Sequence, residues 1–280
     1  MSETPEITKE CVDCGAEFQS HSYSVLGQTI CLDKGLCPDC RKKQAEDIEK
    51  REKTKQELAL ASRKRQWRTS CGIPYRFLAE EFGTFDTKRL GNVKQVYNTC
   101  LKYVEGFPLA KPEGYRSLVI YSNGVWGLGK SHLVFSIAHH ILNKWQGTPD
   151  YCPVLCVTEP NLFVNIRESF NRNFADHEVD TESKIIRRLS YVDLLIVDDM
   201  GKEEVADPRF VQRTWFKIIN NRYNSRLPMV ITANLDQAGL RNHLGAGRDN
   251  EASFDRLFEM TGGKLYEIKG ESYRRHNVAK

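Results

Sequence analysis

The sequence predicts an α/β fold, a parallel sheet covered by helices on both faces, with a small cysteine-bearing module ahead of it. Three observations carry this. Apolar, β-rich runs alternate with helical patterns between Arg116 and Gly270. The glycine-rich stretch GVWGLGKS, residues 124–131, lies between the first of those runs and an apolar helix. Two Cys-x-x-Cys pairs fall within the first 40 residues.

At 280 residues the chain has room for one α/β domain of about 200 residues and a small appendage. Hydrophobic residues at 40% and charged ones at 28% suit a soluble globular protein. No apolar run approaches the roughly 20 residues that span a bilayer, so no membrane partner is expected. The polar, acidic start MSETPEITKE lacks a secretory apolar region, which points to the cytoplasm. In that reducing setting nine cysteines favour metal over disulfides where they pair closely. A net charge of +4 is too mild to indicate nucleic acid by itself; where the charge sits matters more.

Taken in order, Cys11-x2-Cys14 and Cys37-x2-Cys40 are separated by 22 residues. Gly15 follows the first pair and Pro38 sits inside the second, as turns that converge thiolates require. Four thiolates make a closed tetrahedral site, so zinc here would be structural and would drive the folding of a module too small to bury its own core. His21 and Cys31 lie between the pairs as alternative ligands. Cys71, Cys100, Cys152 and Cys156 read as core or surface residues, and His139 and His140 as packing or surface residues. Residues 41–68 carry 11 Lys/Arg against 5 Asp/Glu, with Ile48, Leu58 and Leu60 as the large aliphatics. They read as an exposed helix or charged linker. Gly72-Ile73-Pro74 breaks that pattern. The expected regions are therefore a zinc module at 1–45, a basic helical linker at 46–70 and an α/β domain at 71–280.

Within that domain, RSLVIYS (116–122) is a strand, followed by a glycine turn and the helix SHLVFSIAHHILNKW. PVLCVT (153–158) is a second strand, with Glu159-Pro160 opening the next helix. Residues 182–191 are helical and LLIV (194–197) is a short, wholly apolar strand. Asp207-Pro208 starts a helix with Val211, Trp215, Ile218, Ile219 and Arg222 at helical spacing. LPMVITAN (227–234) and KLYEIKG (264–270) complete the set.

GVWGLGKS fits G-x-x-x-x-G-K-[ST] in its proper strand–helix context. Gly124 and Gly129 let the backbone wrap phosphate oxygens, Lys130 offers charge to the β- and γ-phosphates, and Ser131 offers a hydroxyl to Mg²⁺. The nucleotide stretch comprises Gly124, Val125, Trp126, Gly127, Leu128, Gly129, Lys130, Ser131 and His132, with Gly127 easing the turn. Asp198 ends an apolar strand, as a Mg²⁺-binding acid does. Asp199 is the candidate for activating water. Its side chain is one methylene shorter than glutamate, so slow hydrolysis is expected unless a partner completes the site. Asn234 is placed to orient that water.

In order and spacing these motifs resemble the DnaC/IstB-like AAA+ ATPases, which include bacterial and phage replicative helicase loaders. The matching stretches are GIPYRF (72–77), FGTFD (82–86), GVWGLGKSHL (124–133), VDLLIVDDMG (192–201), WFKIINNRYNSRLPMVITANL (215–235), FDRLFEM (254–260) and SYRR (272–275). The resemblance implies an AAA+ (ASCE P-loop) sheet with the acid-bearing strand between the phosphate-loop strand and the Asn234 strand. It implies no separate helical lid, and an acidic pair is common at this position in the family. It further implies ATP as cofactor and ATP-dependent assembly into an oligomer or spiral. Arg256 would act on the neighbour's γ-phosphate, with Arg248 as rival, and Arg274 in cis. The partners implied are a hexameric replicative helicase, gripped by residues 1–45, and single-stranded DNA, which the basic segment could touch. The sequence is also compatible with an IstB-type transposition helper, or with a zinc-ribbon adaptor that uses ATP only as a switch.

Overall fold

The computed structural model describes residues 6–25, 28–31, 34–148, 150–170, 181–202, 207–245 and 251–273. The chain divides into two compact units, Met1–Ser62 and Arg63–Lys280.

The first unit contains β1 (Glu6–Glu10), β2 (Glu17–Val25) and β3 (Gln28–Cys31), an antiparallel sheet in that order. One cysteine pair lies in the β1–β2 turn. The other opens α1 (Pro38–Ser70), where proline suits the first helical turn because it has no N–H to leave unpaired. Ile48 and Leu58 on α1 are exposed, in keeping with its charge. From Arg63 the helix belongs to the second unit. There Trp67 is buried, Lys64 Nζ donates to Asn143 O at 2.8 Å, and Arg68 Nε donates to Asn143 Oδ1 at 3.1 Å.

The second unit continues with two 3-10 turns, Tyr75–Phe77 and Phe82–Thr84, and α2 (Val93–Glu105). Then come β4 (Leu118–Tyr121), α3 (Lys130–Lys144), β5 (Val154–Thr158), α4 (Glu159–Phe170) and α5 (Glu182–Tyr191). β6 (Leu194–Met200), α6 (Pro208–Asn224), β7 (Met229–Ala233), α7 (Gln237–His243), α8 (Glu251–Met260) and β8 (Tyr266–Glu267) complete it. The five strands are parallel in the order β5-β6-β7-β4-β8. This corrects one expectation: the acid-bearing strand β6 does not lie beside β4. The crossover after β4 carries the chain to the sheet edge at β5, and β6 and β7 then fill the gap in turn. The strand ending at Asn234 is therefore the neighbour of both. β6 also runs further than its apolar run suggests, through both aspartates, and β8 is only two residues long.

Alternate strand residues divide between two buried faces. Val119, Leu195, Val197, Met229 and Ile231 join Phe163, Leu189, Trp215, Ile218 and Leu257 from α4, α5, α6 and α8. α3 packs against β5, β6 and β7, with Leu133, Ile137 and Ile141 fully buried. His139 is also buried there, its Nε2 3.0 Å from Phe77 O, as a packing histidine. Among the described residues no helix is long and apolar enough to cross a membrane.

Arg222 reads in the sequence as part of a helix face, but it is fully buried. Nη1 donates to Leu189 O (2.8 Å) and Val192 O (2.9 Å), and Nη2 to Pro228 O (2.6 Å) and Asp193 O (3.4 Å). One guanidinium thus satisfies the carbonyls where α5 ends and where β6 and β7 begin. Burial pushes its pKa down to about 9, with Tyr103 and Asp193 opposing. Arg222→Ala should leave these carbonyls unpaired and cost at least about 3 kcal/mol in chemical denaturation. Arg222→Lys should recover little, because an ammonium lacks the fork that reaches several carbonyls at once.

Candidate functional site

β4 hands the chain to the phosphate-loop motif at the C-terminal edge of the sheet, and α3 begins at Lys130. Gly129 precedes it in the left-handed region at φ +95°, and a Cβ there would come within 2.7 Å of the Phe85 ring. Both facts require glycine. Leu128 is buried and anchors the loop, whereas Val125 and Trp126 are exposed. The N-terminus of α3 opens on a cleft of about 250 Å³, and the partial positive charge of a helix start suits anions.

Lys130 is 5% exposed, and its Nζ donates to Ser122 Oγ and to Asn234 Oδ1, each at 2.7 Å. Asn234 Nδ2 in turn donates to Asp199 Oδ1 at 3.0 Å. Only this amide orientation lets the ammonium donate and the carboxylate accept. Lys202 Nζ contacts Asp199 Oδ2 at 3.1 Å. The cation of the loop and the second acid of β6 are thus joined through one side chain on the strand between them.

Asp198 is buried at the same edge and accepts from Thr232 Oγ1 at 2.6 Å. Thr232 Oγ1 accepts from the backbone N–H of Asp199 at 2.9 Å. Asp199 lies at φ +58°, a left-handed conformation rare for residues with a side chain, and the β6–β7 register breaks between Val197 and Met200. The turn that follows is fastened by Glu159, which is fully buried. Its Oε2 accepts from Gly201 N at 2.6 Å, and its Oε1 from Trp215 Nε1 at 2.6 Å and His243 Nε2 at 2.7 Å. Thr232 and Glu159 therefore hold a strained backbone that aims Asp199 at the cleft.

The opposite wall comes from the segment before α2. His132 bonds Glu80 Oε2 at 3.2 Å and Glu81 O at 2.9 Å. Phe85 stacks on Tyr97 with ring centroids 5.5 Å apart, and Arg89 and Tyr273 also line the cleft.

The fold thus gathers Lys130, Ser131, His132, Asp198, Asp199 and Asn234. It keeps Arg256 out of the chain's own cleft, with its guanidinium over the rings of Phe216 (5.4 Å) and Tyr223 (5.8 Å). Arg248 and Arg274 lie outside the described residues. Ser122, Thr232, Glu159, Lys202 and Arg89 escaped the sequence reading. Thr232 was accessible to it, because a residue two before Asn234 on a strand shares its face. Glu159 looked like an ordinary helix start.

The cysteine cluster stands in the other unit. The sulfurs of Cys11, Cys14, Cys37 and Cys40 all lie within 4.8 Å of one another, and Cys14 and Cys37 are 3.7 Å apart. Thiolates at about 2.3 Å around a tetrahedral ion stand about 3.8 Å apart, so the donor set fits zinc. Cys37 N donates to Cys11 Sγ at 3.3 Å and lowers that thiol's pKa, favouring the thiolate a metal needs. The side chains of His21 and Cys31 fall outside the described residues.

Burial, and next the charge of Asp199, push the Asp198 pKa up to about 6, with Thr232, Ser131 and Lys130 opposing. A carboxyl whose folded pKa is raised costs nothing below its unfolded pKa. Its penalty grows between the two values and is constant above the folded one. Asp198→Asn keeps the acceptor for Thr232 without the charge. It should stabilise the nucleotide-free protein by about 2–3 kcal/mol above pH 6, the gain shrinking as pH falls toward 4. Denaturation midpoints across that range test this.

The family model described as IstB-like ATP binding protein matches residues 119–280. The replicative helicase loader DnaC of Buchnera aphidicola subsp. Baizongia pistaciae is 30% identical over 200 residues, covering 65% of this chain and 72% of that protein. Two solved structures share the fold. A DnaC helicase loader aligns at TM-score 0.54 with 22% identity, over 70% of this chain and 100% of that one. DnaI aligns at 0.51 with 22% identity, over 71% and 95%. With the phosphate loop, the acid pair and the sheet order in place, the chain belongs to the IstB-like ATP-binding proteins, the P-loop AAA+ ATPases that include the DnaC loaders.

Proposed function

We propose that this chain is an ATP-dependent replicative helicase loader that assembles with further copies of itself on a hexameric helicase and single-stranded DNA. The observation that carries this is the likeness to the DnaC loader over 200 residues. Lys130 and the α3 N-terminus take the phosphates. Ser131 and Asp198 would hold Mg²⁺, which screens phosphate charge. Asp199 activates water, with Asn234 orienting it. Arg256 does not line its own cleft, which suits action on a neighbour's nucleotide; Arg248 is the alternative and Arg274 the cis candidate. The hydrolysis is slow in the isolated chain, because Asp199 has a side chain one methylene shorter than glutamate and a partner completes the site. Residues 1–45 form a zinc-stabilised docking module for the helicase, residues 46–70 a basic linker, and residues 71–280 the ATPase domain.

The family description, which names IstB, favours a second reading as a transposition helper that assembles on duplex DNA. Co-purification separates the two. The loader reading expects capture of a hexameric replicative helicase in ATP, and turnover stimulated by helicase with single-stranded DNA. Capture of a transposase instead, with duplex DNA as stimulator, would sink it. Lys130→Ala should abolish nucleotide-dependent capture. Arg256→Ala should keep ATP binding and lose at least about 10-fold in stimulated turnover; full turnover would move the finger elsewhere.

The purified chain should carry about one zinc by metal analysis. Cys37→Ser should lose the metal and the protease resistance of the first unit while leaving ATP binding intact. Retention of zinc would reject the four-cysteine assignment.

A further inference from the structure

Arg89 belongs to the segment before α2 and lines the nucleotide cleft. Its guanidinium packs on two rings, 4.8 Å from the centroid of Phe85 and 5.3 Å from that of Tyr273. Nε donates to the backbone oxygen of Asp86 at 3.1 Å. Nη1 is buried without a hydrogen-bond partner among the described residues. Nη2 lies against the phosphate loop, 2.9 Å from where a Cβ on Gly129 would stand. The second ring is tied to the same loop, because Tyr273 N donates to Gly127 O at 2.9 Å. Burial lowers the Arg89 pKa, with Asp86 and Tyr273 opposing, so an anion at this point would relieve an unfavourable charge.

This packing limits what Arg89 can recognise. Two rings already pack against the guanidinium, so its planar surface is largely committed to them. What remains is the edge, a planar row of donors that matches phosphate oxygens. Lys130, the other cation of the loop, is compact and already directed to Ser122 and Asn234. We propose that Arg89 is a second cationic ligand of the nucleotide's phosphate chain, supplied in cis by the segment ahead of the sheet and held in plane by Phe85 and Tyr273. The inference rests on the nucleotide reading of the cleft and adds a phosphate contact outside the G-x-x-x-x-G-K-[ST] motif.

The test uses the full chain and competition against a fluorescent ATP analogue. ATP, inorganic triphosphate and adenosine are the competitors, so that the two fragments report separately on phosphate and base contacts. Arg89→Ala should weaken ATP by about 10- to 100-fold. The loss should be shared by triphosphate, or adenosine should be left unchanged. Arg89→Lys should recover part of the affinity. Unchanged ATP affinity in Arg89→Ala overturns the proposal, as does a loss shared equally by ATP and adenosine. If Arg89→Ala does not fold, Arg89→Gln, which keeps a planar group without charge, gives the same two outcomes. A wild-type chain that binds no ATP would instead overturn the nucleotide reading itself.

Discussion

The position of β7 between β4 and β6 is the constraint from which the site follows. A parallel sheet presents the C-terminal ends of its strands along one edge, and neighbouring strands stand about 4.8 Å apart. Lys130 and Asp199 start from strands two places apart, a gap that neither side chain bridges directly. Asn234, at the end of the intervening strand, offers an acceptor to one and a donor to the other. Thr232, two residues earlier on the same face, does the corresponding work for Asp198 and the Asp199 backbone. One strand thus fixes the spacing of the cation and both acids. Had β6 lain beside β4, as the family resemblance first suggested, neither residue would stand between them.

Two buried charges then keep that edge in register. Arg222 closes the carbonyls where α5 ends and where β6 and β7 begin. Glu159 closes the opposite end, binding Gly201 N, Trp215 and His243 through one carboxylate. Each is costly to bury alone and tolerable because the Nη groups of Arg222 and both oxygens of Glu159 are matched. Each also joins elements distant in sequence. The acid turn is therefore coupled to α6 and α7, and a shift of either helix would be felt at Asp199.

The sequence made the main strands and the phosphate loop legible because their signals are local: apolar runs of four or more residues, glycines at a turn, a lysine and serine at fixed spacing. The order of the sheet is a property of crossovers, which no local pattern encodes, and it was misplaced. The β1–β3 sheet went unread because its strands, EITKE, EFQSHSYSV and QTIC, are polar and contain no apolar run. Asp198, Asp199 and Asn234 were identifiable since each ends an apolar strand. Glu159 and Arg222 were visible only as members of helices, because a helix face does not announce that one charged residue on it points inward. Arg89 was hidden more deeply, in a segment without regular structure whose partners Phe85 and Tyr273 lie on either side of the whole sheet in sequence.

The state of Asp199 bears on how such a site can be controlled. Its Oδ1 is held by Asn234 and its Oδ2 by Lys202. Each contact occupies one lone pair and fixes the direction of the carboxylate, while each oxygen keeps a further lone pair. The two contacts differ in cost. Lys202 is more than half exposed, so its ion pair contributes about 0–1 kcal/mol and yields readily to solvent or to an incoming charge. The Asn234 bond is shielded and is shared with Lys130, so breaking it also disturbs the cation of the loop. Release on the Lys202 side is the easier event, and it leaves the Asn234 bond in place. A phosphate chain drawing Lys130 toward its own oxygens would loosen the other side as well. The geometry therefore links the freedom of Asp199 to occupancy of the cleft and to whatever approaches Lys202 from outside.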